Sequence, residues 1–207
     1  MRQDINTLLD SISKTESDKL LESWGYNLAA EYFETLSHAT LDTHQPILEL
    51  ATGTGRMSVV LTRLGYDVIT GDVSTEDRKK AEMRITKEYL HKVKFLTIDM
   101  ESLLFENGSF SSVISMDTFH HLEHPEVCLK ELIRVHSGKN SLVIGDFNET
   151  GFAELQKVHR ILYGNDHPRG NLSMDKLKPL LETQYHEVKE IHTQLNVTLI
   201  ASAKKKK

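Results

Sequence analysis

The sequence predicts an α/β fold, a three-layer sandwich with helices on both faces of a mostly parallel sheet, and three observations carry the prediction. From Pro46 onward, short β-rich runs alternate with longer helical patterns, the order expected of βαβ units. Those runs are nearly continuous in apolar residues, as strands buried on both faces require. Near its C-terminal end the chain carries two β-rich runs, 186–192 and 194–201, too close together for a crossover, which predicts an antiparallel hairpin at one edge of the sheet.

In chain order, the first 45 residues space Leu8, Ile12, Leu20, Leu21, Leu28 and Tyr32 like apolar helix faces, and no Pro/Gly-rich linker separates them from the first β-rich run. Strands are predicted at 47–50, 67–71, 93–98, 112–115 and 141–145, ahead of the hairpin. A helix over 56–64 closes at Gly65, a residue suited to a left-handed cap, and Ser74-Thr75-Glu76-Asp77 has the pattern of a capping box opening the next helix. Pro125 starts another, 126–136, with Val127, Cys128, Leu132 and Val135 on one face and His136-Ser137-Gly138 as its stop. With 207 residues, 39% hydrophobic and 27% charged, the chain suffices for one core, so a single domain over 1–207 is expected: a helical segment 1–45, a core 46–203 and a lysine tail 204–207.

Composition excludes several roles. The longest apolar stretches fall far short of the roughly 20 residues of a membrane-spanning helix, and residues 1–6 have no leader-like pattern, so a cytoplasmic protein is expected. The single cysteine, Cys128, cannot form an internal disulfide and reads as a small buried hydrophobe. The net charge of −5 includes four lysines at 204–207, so the body is more acidic still and no nucleic-acid partner is expected. The lysine run itself reads as a solvated, frayed end. Assembly is left at monomer or homodimer.

The run Ile47-Leu48-Glu49-Leu50-Ala51-Thr52-Gly53-Thr54-Gly55-Arg56-Met57-Ser58 reads as a buried strand turning through two glycines into a helix. Bare backbone there lets a ligand approach main-chain N–H groups at a helix N-terminus. Seventeen residues past Gly55, Asp72 ends the second strand, where a carboxylate can accept both hydroxyls of a ribose. A lone G-x-G is most often only a turn. Here Asp99 ends the third strand and Ser115-Met116-Asp117 the fourth, so four consecutive strands deliver small or polar residues to the carboxyl edge, where open α/β sheets bind ligands.

Taken in order, Glu49-x-Ala51-x-Gly53-x-Gly55, Gly71-Asp72-Val73-Ser74, Asp99-Met100 and the run from Phe110 to Leu122 resemble the motifs of class I S-adenosylmethionine-dependent methyltransferases, with the small-molecule ubiquinone/menaquinone-biosynthesis type nearest in pattern. The resemblance covers roughly residues 24–147 and departs at Ala51, where the family has glycine. It implies a Rossmann-like, seven-stranded sheet of order 3-2-1-4-5-7-6 with one antiparallel edge strand, and S-adenosylmethionine as cofactor, leaving as S-adenosylhomocysteine. It also implies roles: Ala51, Gly53 and Gly55 in the loop against the methionine part, Glu49 near its amino group, and Asp72 with Val73 at the ribose. Asp99 and Met100 would meet the adenine, and Ser115 and Met116 would lie near the sulfonium. Trp24 and Tyr26 are similar to the aromatic N-terminal lid of small-molecule members.

Methyl transfer from a sulfonium is an in-line displacement with a neutral leaving group, so positioning and desolvation supply much of the acceleration. Where an acceptor must lose a proton, His120, His121 and His124 are the candidate bases; the plainer reading is that they cap and line a loop. Beyond the fifth strand, His159, Tyr163, His167 and Arg169 form a candidate acceptor site in which arginine would clamp an acidic group, against the plainer reading of a helix stop and a turn. The eight-residue gap between His159 and His167 fits no familiar ligand spacing, so no metal is expected. The expected function is methyl transfer to a small-molecule acceptor; the alternatives are a non-catalytic partner of the same fold or a protein or RNA methyltransferase. A dinucleotide oxidoreductase is disfavoured because Ser58 stands where its third glycine belongs, and an amino-methylating nucleic-acid enzyme because no Asn-Pro-Pro-Tyr-like tetrapeptide follows the fourth strand.

Overall fold

The computed structural model describes residues 4–170 and 174–205. Seven strands form one sheet: β1 (Ile47–Leu50), β2 (Val68–Asp72), β3 (Val93–Thr97), β4 (Val113–Met116), β5 (Leu142–Phe147), β6 (Tyr185–His192) and β7 (Asn196–Lys204). Their order is β3-β2-β1-β4-β5-β7-β6. The first five run parallel, with Glu49 opposite both Thr70 and Ile114. The reversed strand is β7, which pairs antiparallel with β5 on one side and with β6, the outermost strand, on the other.

Alternation along each strand distributes its side chains to two cores. Leu48, Leu50, Val113, Leu142, Ile144, Leu199 and Ala201 face one layer, formed by α6 (Pro125–Val135) and α8 (Met174–Gln184). Ile47, Val68, Ile114, Val143 and Ile200 face the other, where α3 (Leu28–Ser37), α4 (Arg56–Arg63), α5 (Arg78–Ile85) and the short α1 (Ile5–Asp10) pack. Cys128 belongs to the first core, fully buried, and burial pushes its thiol up to about 11. A third cluster, at the carboxyl end of β5, joins α2 (Glu16–Ser23) to α7 (Glu149–Tyr163) through Leu21, Phe147, Leu155 and Val158. At roughly 25 cal/mol per Å² of apolar surface removed from water, these clusters hold the N-terminal helices against the sheet and α7. No helix among the described residues is long and apolar enough to cross a membrane.

Two expectations are corrected. Ser74–Asp77 forms no capping box: the Ser74 hydroxyl accepts from the Glu76 N–H at 3.1 Å, Asp72 draws in the Ser74 N–H at 3.3 Å, and α5 starts only at Arg78. The turn after β2 thus competes with the helix for the same side chain. Lys204 and Lys205, the described part of the lysine run, are not a frayed end either. Lys204 is the last residue of β7, and its ammonium donates to the carbonyls of Ile133 and His136 at the C-terminus of α6, where the helix dipole favours a cation. Lys205 donates through its N–H to Gln184 O at 2.8 Å. Lys206 and Lys207 lie outside the described residues.

Candidate functional site

A cavity of about 920 Å³ opens at the carboxyl ends of β1, β2, β4 and β5. Its floor is the loop between β1 and α4. The chain leaves β1 through Ala51 at φ 66°, continues through Gly53 at 46° and enters α4 at Gly55 at 77°. Alanine thus takes the left-handed shape that glycine favours, at a cost of roughly 1–2 kcal/mol. The two glycines serve different ends. Nothing lies within 4 Å of where a Cβ on Gly53 would be, which leaves open space beside its backbone, whereas a Cβ on Gly55 would stand 2.9 Å from that of Ala81 on α5. Gly55 is therefore a packing requirement, whereas Gly53 lines the cavity.

Two carboxylates frame this loop. Glu49, in the middle of β1, is 2% exposed and accepts from Ser58 Oγ at 2.8 Å and from the Thr70 hydroxyl. Burial, opposed by these two bonds, raises it to about 7, so near neutral pH it is poised to ionise when a cation arrives. Asp72, at the end of β2, accepts from the Gly53 N–H at 3.0 Å and holds the loop against the strand end.

The opposite wall comes from the N-terminal helices. Thr15, Glu16, Ser17 and Tyr32 line the cavity, and a chain of polar contacts fixes them there. The Tyr32 hydroxyl donates to Asp117 just past β4, Arg56 at the start of α4 pairs with Asp18 at 3.2 Å, and Arg84 on α5 pairs with Asp18 as well. Arg84 also donates to Thr54 Oγ1 and Thr15 Oγ1, each at 3.1 Å. Burial would raise Asp18, but the two guanidiniums hold it below its ordinary value. Asp117 sits at φ 54° and is raised to about 6 by burial, against the pull of Arg56.

On the far side, beyond β4 and β5, four histidines meet. His120 and His121 lie on a single 3-10 turn, Phe119–His121. Asp146, buried on β5, accepts the His120 backbone N–H at 2.9 Å and faces its Nδ1 at 2.6 Å. His167 Nε2 stands 2.9 Å from His120 Nε2, and its Nδ1 stands 2.9 Å from His159 Nε2 on α7. The loop after α7 is tied down by the Gly170 N–H donating to His120 O at 2.9 Å.

Of the residues singled out in the sequence, Glu49, Ala51, Gly53, Asp72, Val73, Met100, Met116, His120, His121, Tyr163 and His167 line the cavity. Gly55 packs on α5 instead. Ser115 is wholly buried inside β4, its hydroxyl without a partner among the described residues. Asp99 is exposed and accepts the Glu101 N–H at 2.8 Å in a turn, while its neighbours Ile98 and Met100 reach the cavity. Trp24 and Tyr26 are not on this cavity: the chain turns at Gly25, φ 92°, and seats both rings over α7, in a separate groove with Lys157 and Arg160. Arg169 is engaged by the exposed Glu149 at 3.0 Å and lies over the Phe152 ring, 4.3 Å from its centroid. The exposed His124 only precedes α6, with no side-chain cap bond. Tyr32 and Arg56 were not anticipated as site residues; Asp117 was placed at the carboxyl edge with Ser115 and Met116 but given no role, and Asp146 follows the same rule of acids at strand ends.

Residues 48–144 match the family described as Methyltransferase domain. The demethylmenaquinone methyltransferase of Renibacterium salmoninarum is 26% identical over 115 residues, 56% of this chain and 46% of that protein. The 2-methyl-6-phytyl-1,4-hydroquinone methyltransferase of Synechocystis sp. is 31% identical over 53% of this chain and 35% of that one. The chain thus spans half or less of the length of these relatives. Among solved structures, a SAM-dependent methyltransferase from Aquifex aeolicus superposes with a TM-score of 0.59 at 18% identity, over 91% of this chain and 98% of that one. The cyclase SpnF superposes with a TM-score of 0.64 at 15% identity, over 84% and 81%, so the fold alone does not fix the reaction. The match over residues 48–144 and the seven-strand order together make the chain similar to the class I S-adenosylmethionine-dependent methyltransferases.

Proposed function

We propose that the chain binds S-adenosylmethionine between Glu49, Gly53, Asp72 and Met100 and delivers its methyl group to a small aromatic acceptor of the hydroquinone type seated toward the histidines. The observation that carries this reading is the cavity: about 920 Å³ lies near the top of the roughly 300–1,000 Å³ of single-ligand pockets and has room for a nucleoside and a second small molecule. The residues fit the cofactor's chemistry. Open space at Gly53 accepts a close backbone approach, Asp72 offers two oxygens to a diol, and Glu49 offers a buried carboxylate to an ammonium. When bound, the cofactor supplies an electrophilic methyl group.

This chain's residues do the rest. Leu122, Phe147, Leu155, Val158 and Leu162 give the acceptor end an apolar wall, and the Tyr32 face closes over the loop and excludes water. The His121 ring, exposed to the cavity and lowered to about 4 by burial and neighbouring imidazoles, is neutral at pH 7 and able to accept a proton from an acceptor hydroxyl. A hydroquinone acceptor is supported by the names of the sequence relatives. The free, buried Cys128 supports action in the cytoplasm. Incubation with methyl-labelled S-adenosylmethionine and parallel pools of small quinols and phenols, bulk RNA and unfolded protein tests the reading. Label in the quinol or phenol pool is the expected outcome; label in RNA or protein alone, or none in any pool, would contradict it.

A further inference from the structure

We infer that His120, His121 and His167 form a binding site for a divalent first-row transition ion of the zinc type, with Asp146 and His159 as the groups that orient two of the ligands. The donor nitrogens of the three rings lie within 4.8 Å of one another, and the His120 and His167 Nε2 atoms are 2.9 Å apart. A tetrahedral ion bound at about 2.0–2.1 Å needs donors about 3.3 Å apart. Changes in donor separation of up to about 1.5 Å, within reach of side-chain rotation, separate the cluster from that geometry.

The hydrogen bonds around the rings select the atoms that coordinate. Both oxygens of Asp146 act as acceptors: Oδ2 takes the His120 N–H, and Oδ1 takes the Phe147 N–H and faces His120 Nδ1. His120 therefore carries its proton on Nδ1 and turns the Nε2 lone pair toward His167. On His167, Nδ1 faces His159 Nε2, so a proton on that Nδ1 donates to His159 and frees Nε2 as well. A carboxylate or another acceptor behind each ligating imidazole is the pattern that fixes tautomers at metal centres. The His121 ring makes no hydrogen bond among the described residues and lies tilted beside His120 at 3.9 Å and edge-on to His167 at 4.9 Å, centroid to centroid.

Three imidazoles without a thiolate suit zinc, cobalt, nickel or copper, and three protein ligands leave one position open. All three rings line the cavity, so that position faces its interior. On the methyltransferase reading, an ion bound there makes His121 a ligand in place of a base, and the open position would take an acceptor oxygen or sulfur as the conjugate base, its proton passing to solvent. The ion site itself does not depend on that reading. Sequence spacing pointed away from a metal because it compared only His159 with His167; the fold adds the two rings of the 3-10 turn.

The test uses the full chain stripped with a chelator and titrated with Zn²⁺ by calorimetry and with Co²⁺ by visible absorption, beside His121→Ala, His167→Ala and, as a control, His186→Ala at an exposed position on β6. One equivalent is expected to bind, with the intense visible bands of tetrahedral Co²⁺. His121→Ala and His167→Ala should each weaken binding at least hundredfold, and Asp146→Asn or His159→Ala about 10–100-fold. Circular dichroism confirms that each variant folds. No binding, or binding that both ligand variants retain, overturns the site. S-adenosylhomocysteine titrated into the same samples separates the two claims: its binding without metal binding overturns the ion site alone, and the reverse overturns the cofactor reading alone.

Discussion

Asp72→Ala is expected to weaken S-adenosylhomocysteine binding at least a hundredfold while the protein stays folded. The carboxylate lines the cavity at the end of β2, aligned by the N–H groups of Gly53 and Ser74. A carboxylate accepting from a ribose diol makes two charge-assisted hydrogen bonds, each worth about 1.5–3 kcal/mol, so the loss of both costs about 3 kcal/mol or more of binding. The effect on stability is much smaller, about 1 kcal/mol, because the side chain is only half-buried and water reaches its partners. Asp72→Asn keeps one acceptor oxygen and should fall in between. Calorimetric titration of the three proteins checks this; equal affinities would remove Asp72 from the site.

Glu49→Gln is expected to stabilise the unliganded protein at pH 8 and to weaken ligand binding at the same time. Glu49 is raised from 4.5 to about 7 in the fold. Its neutral form is favoured by folding, so its contribution is fully present below about pH 4.5 and is lost as the pH climbs to about 7, a difference of about 3 kcal/mol at 1.36 kcal/mol per pKa unit. Glutamine keeps a neutral, hydrogen-bonding side chain without that loss. Asp117, raised to about 6, has the same sign but remains in both proteins, so the difference between their stability curves isolates Glu49. An ammonium beside Glu49 favours its ionised form, so wild-type binding at pH 6 should release a proton that the variant does not, and the variant should bind at least tenfold more weakly. Urea unfolding at pH 5 and pH 8 measures the first effect: parallel wild-type and variant profiles would contradict the buried acid.

The strands were legible because each is an apolar run long enough for burial on both faces, and their observed bounds shift from the predicted ones by at most three residues. Acids at strand ends were legible for the same reason: Asp72 and Asp117 stand where a run stops. What sequence spacing does not show is contact across long loops. Tyr32 and Asp117 are 85 residues apart and Arg84 and Asp18 are 66 apart, so no local period marks the wall they build. The aromatic pair Trp24 and Tyr26 was misplaced on the cavity because a single left-handed glycine, Gly25, turns it onto α7. The histidines illustrate both sides. Their density was visible in the sequence, but their convergence depends on the loop that Gly170 fastens to His120.

The most direct test of the central claim is calorimetric titration of the wild-type protein with S-adenosylhomocysteine, run beside NAD. One site of micromolar or tighter affinity for S-adenosylhomocysteine, with no heat from NAD, is the predicted result. A folded protein that ignores S-adenosylhomocysteine, or that prefers NAD, would contradict the assignment of Glu49, Gly53 and Asp72 to a methyl-donor site.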